Sequence, residues 1–434
     1  MQSTLLGQIQ LRAAQASLER GSPLKTLKNL RDRSAIRYCI VCTGIGAATV
    51  GLARLAWELA WVSEIERFAC EVVAHHHPRI LNLGDMTTIA ARVLSGEVEA
   101  PQVLVGGTPC QSFSVSGLRR GLTDPCGQLT LSYVQLFIAI NIVRSLLGMF
   151  PAFCLWENVC GVLADKTNGF GCLLAGLAGK PRPLLPEGGR RWPDAGVVAG
   201  PERTVVWRVL DSQFLGVPQR RRRVYVVAGS GAPVERIAEI LLEIGGLPRL
   251  LAEGKELREE AAAEAGGCAE GDDPVGVVNN EIPAMGAGSH PAAEAGKSGA
   301  ASTVARPVLY ENHGQDSRVT ECPNVAPTIC RKYGTGGNNV PLVRCGNIVR
   351  YLTPTECERL QGLPDGYTDI PGAKDAPRYR ALGNSFTVPA VRWIGKRLDS
   401  LLREITKGFI LGELIAVVAI ILVLMALGHG FGWW

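Results

Sequence analysis

Between residues 36 and 228, short apolar runs rich in β-branched residues alternate with longer stretches of helical spacing, and most runs end in glycine or an acidic residue. Alternation of this kind implies βαβ units, hence a parallel sheet with helices on both faces. The expected order is a strand at 36–42, a glycine turn, helix-like spacing at 47–59, and a strand ending near Ser63 and Glu64. Helix 66–76, a third candidate strand before Gly84 and Asp85, strand 102–105, helix 127–147, and strands 152–156 and 224–228 follow. The fold class expected is α/β: a Rossmann-like, doubly wound, mostly parallel sheet with a smaller loop-rich domain and an apolar C-terminal helix.

Flanking this block the composition changes. Residues 1–35 are a polar, Lys/Arg-containing lead-in, and 36–230 form the expected main domain. Residues 231–303 read as a linker or solvated insertion. Within 251–300 there are 12 Ala and 9 Gly, with ten acidic residues against three basic ones, too few apolar groups for a core. Residues 304–347 carry Asn, Gly, Thr and Arg with short β-like runs, as a loop-rich binding region does. Helical spacing resumes over 348–400, with Thr353 or Thr355 as N-cap and Glu356 and Glu358 in the first turn. Beyond it, Leu414 to Leu427 is wholly apolar, preceded by Lys396, Arg397, Arg403 and Lys407 and followed by Trp433 and Trp434. Residues 408–428 are therefore either a membrane-associated segment with its N-terminal side cytoplasmic or an apolar helix packed on the domain or an oligomer seam.

The net charge of +5 over 434 residues permits a polyanionic partner without requiring one. Thirteen cysteines without regular spacing, and a polar N-terminus, fit a reducing cytosol rather than a disulfide framework. Cys39-x-x-Cys42 lies in a strand-like run and reads as core packing. His75, His76 and His77 read as a loop or strand edge, and no metal site is expected.

Four patterns carry chemistry. Gly44, Ile45 and Gly46 follow the first strand and open a helix, which lets a ligand approach the backbone. Glu64, twenty residues on at a second strand end, can accept from ribose hydroxyls, and Asp85 from an adenine amino group, so an adenosine-containing cofactor follows. Cys110 stands after Val103-Leu104-Val105-Gly106-Gly107-Thr108-Pro109, a thiol on a stiff turn beyond a buried strand. By itself such a thiol is more often packed than reactive. Glu157 and Asn158 end another strand, where a buried carboxylate can protonate a ring nitrogen. Arg220 to Arg223 precede the last strand, and period-two alternation puts Arg221 and Arg223 on one face and Arg220 and Arg222 on the other.

Taken in order, Gly-Thr-Pro-Cys-Gln at 107–111, Glu-Asn-Val at 157–159, Gln-Arg-Arg-Arg-Arg at 219–223, the run 352–364 and Ala-Leu-Gly-Asn-Ser at 381–385 resemble the DNA cytosine-5 methyltransferases. The wording around Glu64 and Asp85 looks most like the bacteriophage and prophage members, some of which accompany restriction-modification systems. The resemblance spans about 36–228 and 304–398. It implies S-adenosylmethionine as methyl donor and double-stranded DNA as partner, with the target cytosine flipped out of the duplex. Cys110 would add to cytosine C6, Glu157 would engage N3 and the amino group, and Arg223, supported by Arg221, would hold the base oxygen. Gly44, Ile45 and Gly46 would meet the methionine end of the donor, Glu64 its ribose and Asp85 its adenine, with Asn384 and Ser385 completing the pocket.

Gln111, Ser112, Arg119 and Arg120 would belong to a loop over 112–123 that closes on the base. Arg331, with Asn312, His313, Arg318 and Lys332, would reach bases and phosphates. A cytoplasmic monomer is expected, tethered to the membrane if the tail inserts. The family's first strand usually ends in an acidic residue and an aromatic, where this chain has Ile40 and Cys42. Other readings are a catalytically degenerate DNA-binding relative and a nicotinamide-dependent oxidoreductase, but the second leaves residues 219–223 and 383–385 unexplained.

Overall fold

The computed structural model describes residues 35–109, 125–242, 308–313, 318–322, 324–331, 333, 340–345 and 347–407. A seven-stranded sheet organises most of them. In chain order its strands are β1 (Arg37–Val41), β2 (Glu58–Ser63), β3 (Val103–Gly106), β4 (Phe153–Val159), β5 (Ala195–Ala199), β6 (Thr204–Asp211) and β7 (Arg222–Gly229). Their spatial order is β2-β1-β3-β4-β7-β6-β5. The β2–β1, β1–β3 and β3–β4 pairs are parallel, and the β4–β7, β7–β6 and β6–β5 pairs antiparallel. Five strands therefore run one way, with β7 and β5 reversed. The α/β class and mostly parallel sheet stand as expected, but β5 and β6 were not anticipated, and β7 is antiparallel to its neighbours. Only residues 212–221 join β6 to β7, too short a connection for a parallel crossover.

Two apolar layers cover the sheet, sorted by strand parity. Val105, Leu155, Tyr225 and Val227 face the layer with helices α1 (Ala47–Leu52), α2 (Arg67–His76), α6 (Val234–Ala238), α7 (Pro354–Gln361), α8 (Asp375–Asn384) and α9 (388–407). Leu104, Cys154, Trp156, Val224 and Val226 face the layer of α3 (Ile89–Leu94), α4 (Pro125–Leu146) and α5 (Gly169–Ala178). Residues 129–146 of α4 are apolar and long enough to cross a membrane, yet Tyr133, Leu136, Phe137 and Ile140 are fully buried against the sheet. The 408–428 tail lies outside the described residues.

Several boundaries differ from the sequence reading. Helix 47–59 ends at Leu52, continues as one 3-10 turn at Ala53–Leu55, and breaks at Ala56, whose φ of 54° is left-handed. From Glu58 the chain pairs with β1 instead. The third candidate strand before Asp85 is a single parallel bridge, Val62 to Asn82. His75 and His76 occupy the last turn of α2, with His77 as its C-cap, rather than a loop or strand edge. His76 Nε2 lies 2.8 Å from the Tyr367 carbonyl, and its ring stacks on that of Tyr367.

A second sheet, ordered β11-β10-β8-β9, contains β8 (Val308–His313), β9 (Arg318–Cys322), β10 (Leu342–Cys345) and β11 (Ile348–Tyr351), all antiparallel. Leu309, Ala326, Ile329 and Val343 bind this region to the core on the α7–α9 side. The C-terminal helices return to the main sheet through close backbone approach. A Cβ on Gly51 of α1 would lie 2.9 Å from Val391 of α9, and one on Gly395 would lie 2.6 Å from Leu52. At the start of α7, Thr353 makes the expected capping box with Glu356. Glu358 is instead fully buried, accepting from the Gly366 and Thr368 amides and pairing with Arg378.

Candidate active site

The carboxyl ends of β1, β2, β3 and β4 and the amino end of β7 meet at one edge of the sheet. Two sites lie there.

At β1 and β2, Gly44 and Gly46 adopt φ of +55° and +81°, which side chains disfavour. A Cβ on Gly44 would meet nothing within 4 Å, so the turn presents bare backbone to open space. Ile45 between them is fully buried. The Glu64 carboxylate accepts from the Gly44 amide at 2.7 Å and from the Ile65 and Glu66 amides at 2.9 Å. Three of its roughly four acceptor positions are thus filled, leaving room for one ribose hydroxyl in this arrangement rather than two. Asp85 is exposed and caps the following turn by accepting from the Thr87 amide.

Cys42, also at positive φ, lies close enough to both carboxylates to feel their charge. Burial above all, and these neighbours, push its thiol up to about 12. Thr43 Oγ1 is buried without a partner. Open glycine backbone, an orphaned hydroxyl and two carboxylates form a donor and acceptor set that fits the methionine and nucleoside ends of S-adenosylmethionine.

At β3 and β4 the turn after Gly106 is clamped in place. Thr108 accepts from Trp156 Nε1 through its hydroxyl and from Asn158 Nδ2 through its carbonyl, both at 3.0 Å. Gly107 sits in a tight place, since a Cβ there would stand 3.2 Å from Phe386 and 3.4 Å from the Glu157 carboxylate. Cys110, Gln111, Ser112, Arg119, Arg120 and the whole 112–123 loop lie outside the described residues, but the turn leading to them ends against Glu157.

Arg223 Nε stands 3.3 Å from Glu157 Oε1, with both side chains about nine-tenths buried or slightly less. Desolvation raises the Glu157 carboxyl above its ordinary range, and the Arg223 and Arg221 charges only partly oppose it. The expected parity holds: Arg221 and Arg223 face inward, while Arg220 and Arg222 are exposed.

Arg221 serves a different end from the one anticipated. Its guanidinium donates to the Ile329 carbonyl at 2.8 Å, to Gly383 at 3.1 Å and to Ser385 at 2.7 Å, so it ties three distant segments together instead of opening toward a base. Burial lowers it to about 9. Gln219 works beside it, donating to the Leu360 carbonyl and accepting from the Ile329 amide. Ser385 is buried, its hydroxyl turned back to the Leu382 carbonyl, whereas Asn384 is exposed at the end of α8. Gly383 packs on the backbone of Cys330 and Arg331, and the Arg331 side chain is exposed. The sequence reading missed Asn158 and Thr108 as the clamp, although Asn158 stood in the Glu-Asn-Val triplet. Phe386, beside Gly107, carried no signal beyond its place after Ser385. Among the described residues, no three metal-ligating side chains gather.

Known proteins resemble this chain in sequence and in fold. A "DNA N-6-adenine-methyltransferase" of Escherichia phage P1 is 36% identical over 83% of the chain, which spans 61% of that protein's length. The type II methyltransferase M.Bsp6I of a Bacillus strain is 24% identical over 82% of the chain and 96% of its own. The solved S. pombe Dnmt2 methyltransferase shares the fold at a TM-score of 0.50 and 16% identity, covering 84% of this chain and 99% of its own. S-adenosylmethionine is the cofactor of this fold, and the glycine turn fits it. The model of the C-5 cytosine-specific DNA methylases matches residues 39–174 and 277–400, well over half of the chain, and the chain belongs to that family.

Proposed function

We propose that the chain methylates DNA at C5 of a cytosine turned out of the duplex. One observation carries this reading: the buried Glu157–Arg223 pair abuts Gly107, on the turn that leads into Cys110. Carbon 5 of cytosine is a poor nucleophile, so an enzyme must first activate the ring. The Cys110 thiolate adds to C6, the C5–C6 double bond opens, and electron density moves to C5 and N3. Glu157, whose carboxyl is raised by burial, donates a proton to N3, while Arg223 steadies the base oxygen and the developing charge. S-adenosylmethionine, when bound by Gly44 to Gly46, Glu64, Asp85 and Asn384, supplies the electrophilic methyl group. Loss of the C5 proton then restores the double bond and releases Cys110. Arg221 acts here as a positioning residue, and Arg331, with Asn312, His313 and Arg318, serves recognition among the described residues.

A second reading, adenine N6 methylation, follows from the name of the phage P1 relative. An exocyclic amine attacks a methyl donor directly and needs no thiol adduct, so Cys110 and Glu157 would have no role in it. Since the chain spans 61% of that relative, the named activity can reside in the part it does not match.

Nucleoside mass spectrometry of DNA incubated with the full chain separates the readings. We expect 5-methylcytosine, abolished by Cys110→Ala, and a covalent adduct with a 5-fluorocytosine duplex. 6-Methyladenine without 5-methylcytosine would refute the proposal, and DNA binding without any methylation would favour the degenerate relative. For residues 408–428 we propose membrane association on composition alone, making the protein a membrane-tethered cytoplasmic monomer. Equal flotation of the full chain and a form ending at Lys407 would reject the tether.

A further inference from the structure

The described recognition segments and the Glu157–Arg223 pair share one face of the main sheet, the face of α7 to α9. On the opposite face, at the same edge, stands a second group of charges that the mechanism does not use. Arg222 follows the parity of Val224 and Val226 and so points toward the α4 and α5 side. Its guanidinium meets Asp194 Oδ2 at 2.7 Å, while Arg191 meets Asp194 Oδ1 at 2.6 Å. Both arginines remain about half exposed, and Arg190 is exposed beside them. Two positive charges thus meet one negative charge, with exposed Arg190 next in the chain. Cys160, the first residue beyond β4, senses Arg222, Arg223, Asp194 and Arg191 together, which places this group within electrostatic reach of the catalytic edge.

The segment is built to hold its shape. Trp192 is buried between the rings of Phe170 and Trp207, each 5.7 Å away centre to centre. Its Nε1 donates to Asn168 Oδ1, its amide donates to the Leu163 carbonyl, and the Pro193 carbonyl accepts from Trp207. Arginines on either side of so firm an anchor lose little freedom when they bind. The Asp194 pairs do not oppose binding strongly, because solvent screens pairs whose partners are about half exposed.

We infer that Arg190, Arg191 and Arg222 form a phosphate-contacting ridge, which grips the DNA backbone on the far side of the flipped base from the recognition sheet. The inference rests on the DNA methyltransferase reading and adds to it a second backbone contact, so that the duplex is held from both faces of the sheet edge. Guanidinium forks suit phosphate oxygens, and such contacts fix register without reading sequence.

The test is a salt titration of full-chain binding to a fluorescent mixed-sequence duplex, comparing wild type, Arg190→Gln with Arg191→Gln, and Arg54→Gln at the opposite end of the sheet. Each phosphate contact contributes about −0.9 to the slope of log affinity against log salt, so the double variant should be shallower by about 1.8. Across a fourfold rise in salt, wild type should then lose about 12-fold more affinity than the double variant. Thermal melts establish that the variants fold. A slope equal to wild type, or equal flattening by Arg54→Gln, overturns the ridge while leaving the methyltransferase reading intact. Wild-type protein that binds no duplex at any salt overturns both.

Discussion

Gly383 stands one residue before Asn384 and packs on the recognition segment, so replacing it with alanine should disturb structure and both substrates at once. A Cβ there would lie 2.7 Å from Arg331 Cα, with Arg331 N and the Cys330 carbonyl carbon closer still. Ordinary contact begins near 3.4 Å and the nearest of these atoms stands 2.3 Å away, so about 1.1 Å, the difference, must be found by moving backbone against backbone. The Arg221 bonds to Ile329, Gly383 and Ser385 resist that motion from both sides. Overpacking of this kind costs about 1–3 kcal/mol. Alanine in a helix regains roughly 0.5–1 kcal/mol over glycine, so a net loss of up to about 2.5 kcal/mol remains. Differential scanning calorimetry should show melting lowered by up to about 10 °C. Steady-state kinetics should show KM raised for both donor and DNA, since Ser385 and Arg331 lie on the two sides of the contact. An unchanged or raised melting temperature with both KM values unaltered would refute the close contact.

Three further outcomes follow from the same geometry. Because burial raises the Glu157 carboxyl in the folded protein, its contribution to stability is fully present below the unfolded pKa of about 4.3 and is lost as pH rises through the raised folded value. In denaturant titrations wild type should therefore lose stability relative to Glu157→Gln as pH increases, and methylation that needs protonated Glu157 should fall over the same rise. Arg221→Lys keeps a charge but cannot fork to three carbonyls, so denaturant unfolding should register a loss of about 3 kcal/mol, from one or two charged hydrogen bonds. Asn158→Ala frees the Thr108 carbonyl and loosens the turn before Cys110. Single-turnover rates should drop by up to about 100-fold, with duplex affinity unchanged.

How much of this was legible depends on distance along the chain. The strand at Val103–Gly106 is continuously apolar because it is buried on both faces, and its pattern declares it. The capping box at Thr353 and Glu356 is a three-residue signal and reads directly. Parity along residues 220–223 was also visible, because alternation is local. Strand direction is not local: nothing in Arg222–Gly229 says that it runs against β4, and β5, an Ala-Gly-Val-Val-Ala edge strand, buries too little to announce itself. The acceptors of Arg221 lie 108, 162 and 164 residues away, so its residue type was readable and its task was not.

That distance explains why two arginines of one parity do different work. Arg223 belongs to β7 and pairs across to Val159, so its side chain reaches the neighbouring strand's Glu157. Arg221 precedes the strand, where the chain passes beneath the recognition segment and the end of α8, and carbonyls from both surround its guanidinium. Buried carbonyls at such a junction need donors, and one arginine serves three. The junction in turn fixes Ser385, and Phe386 beside it faces Gly107 next to Glu157. Packed side chains and fixed backbone therefore run without interruption from Ile329–Arg331 to the buried Glu157 carboxylate, so a displacement at Arg331 has a physical route to the turn before Cys110.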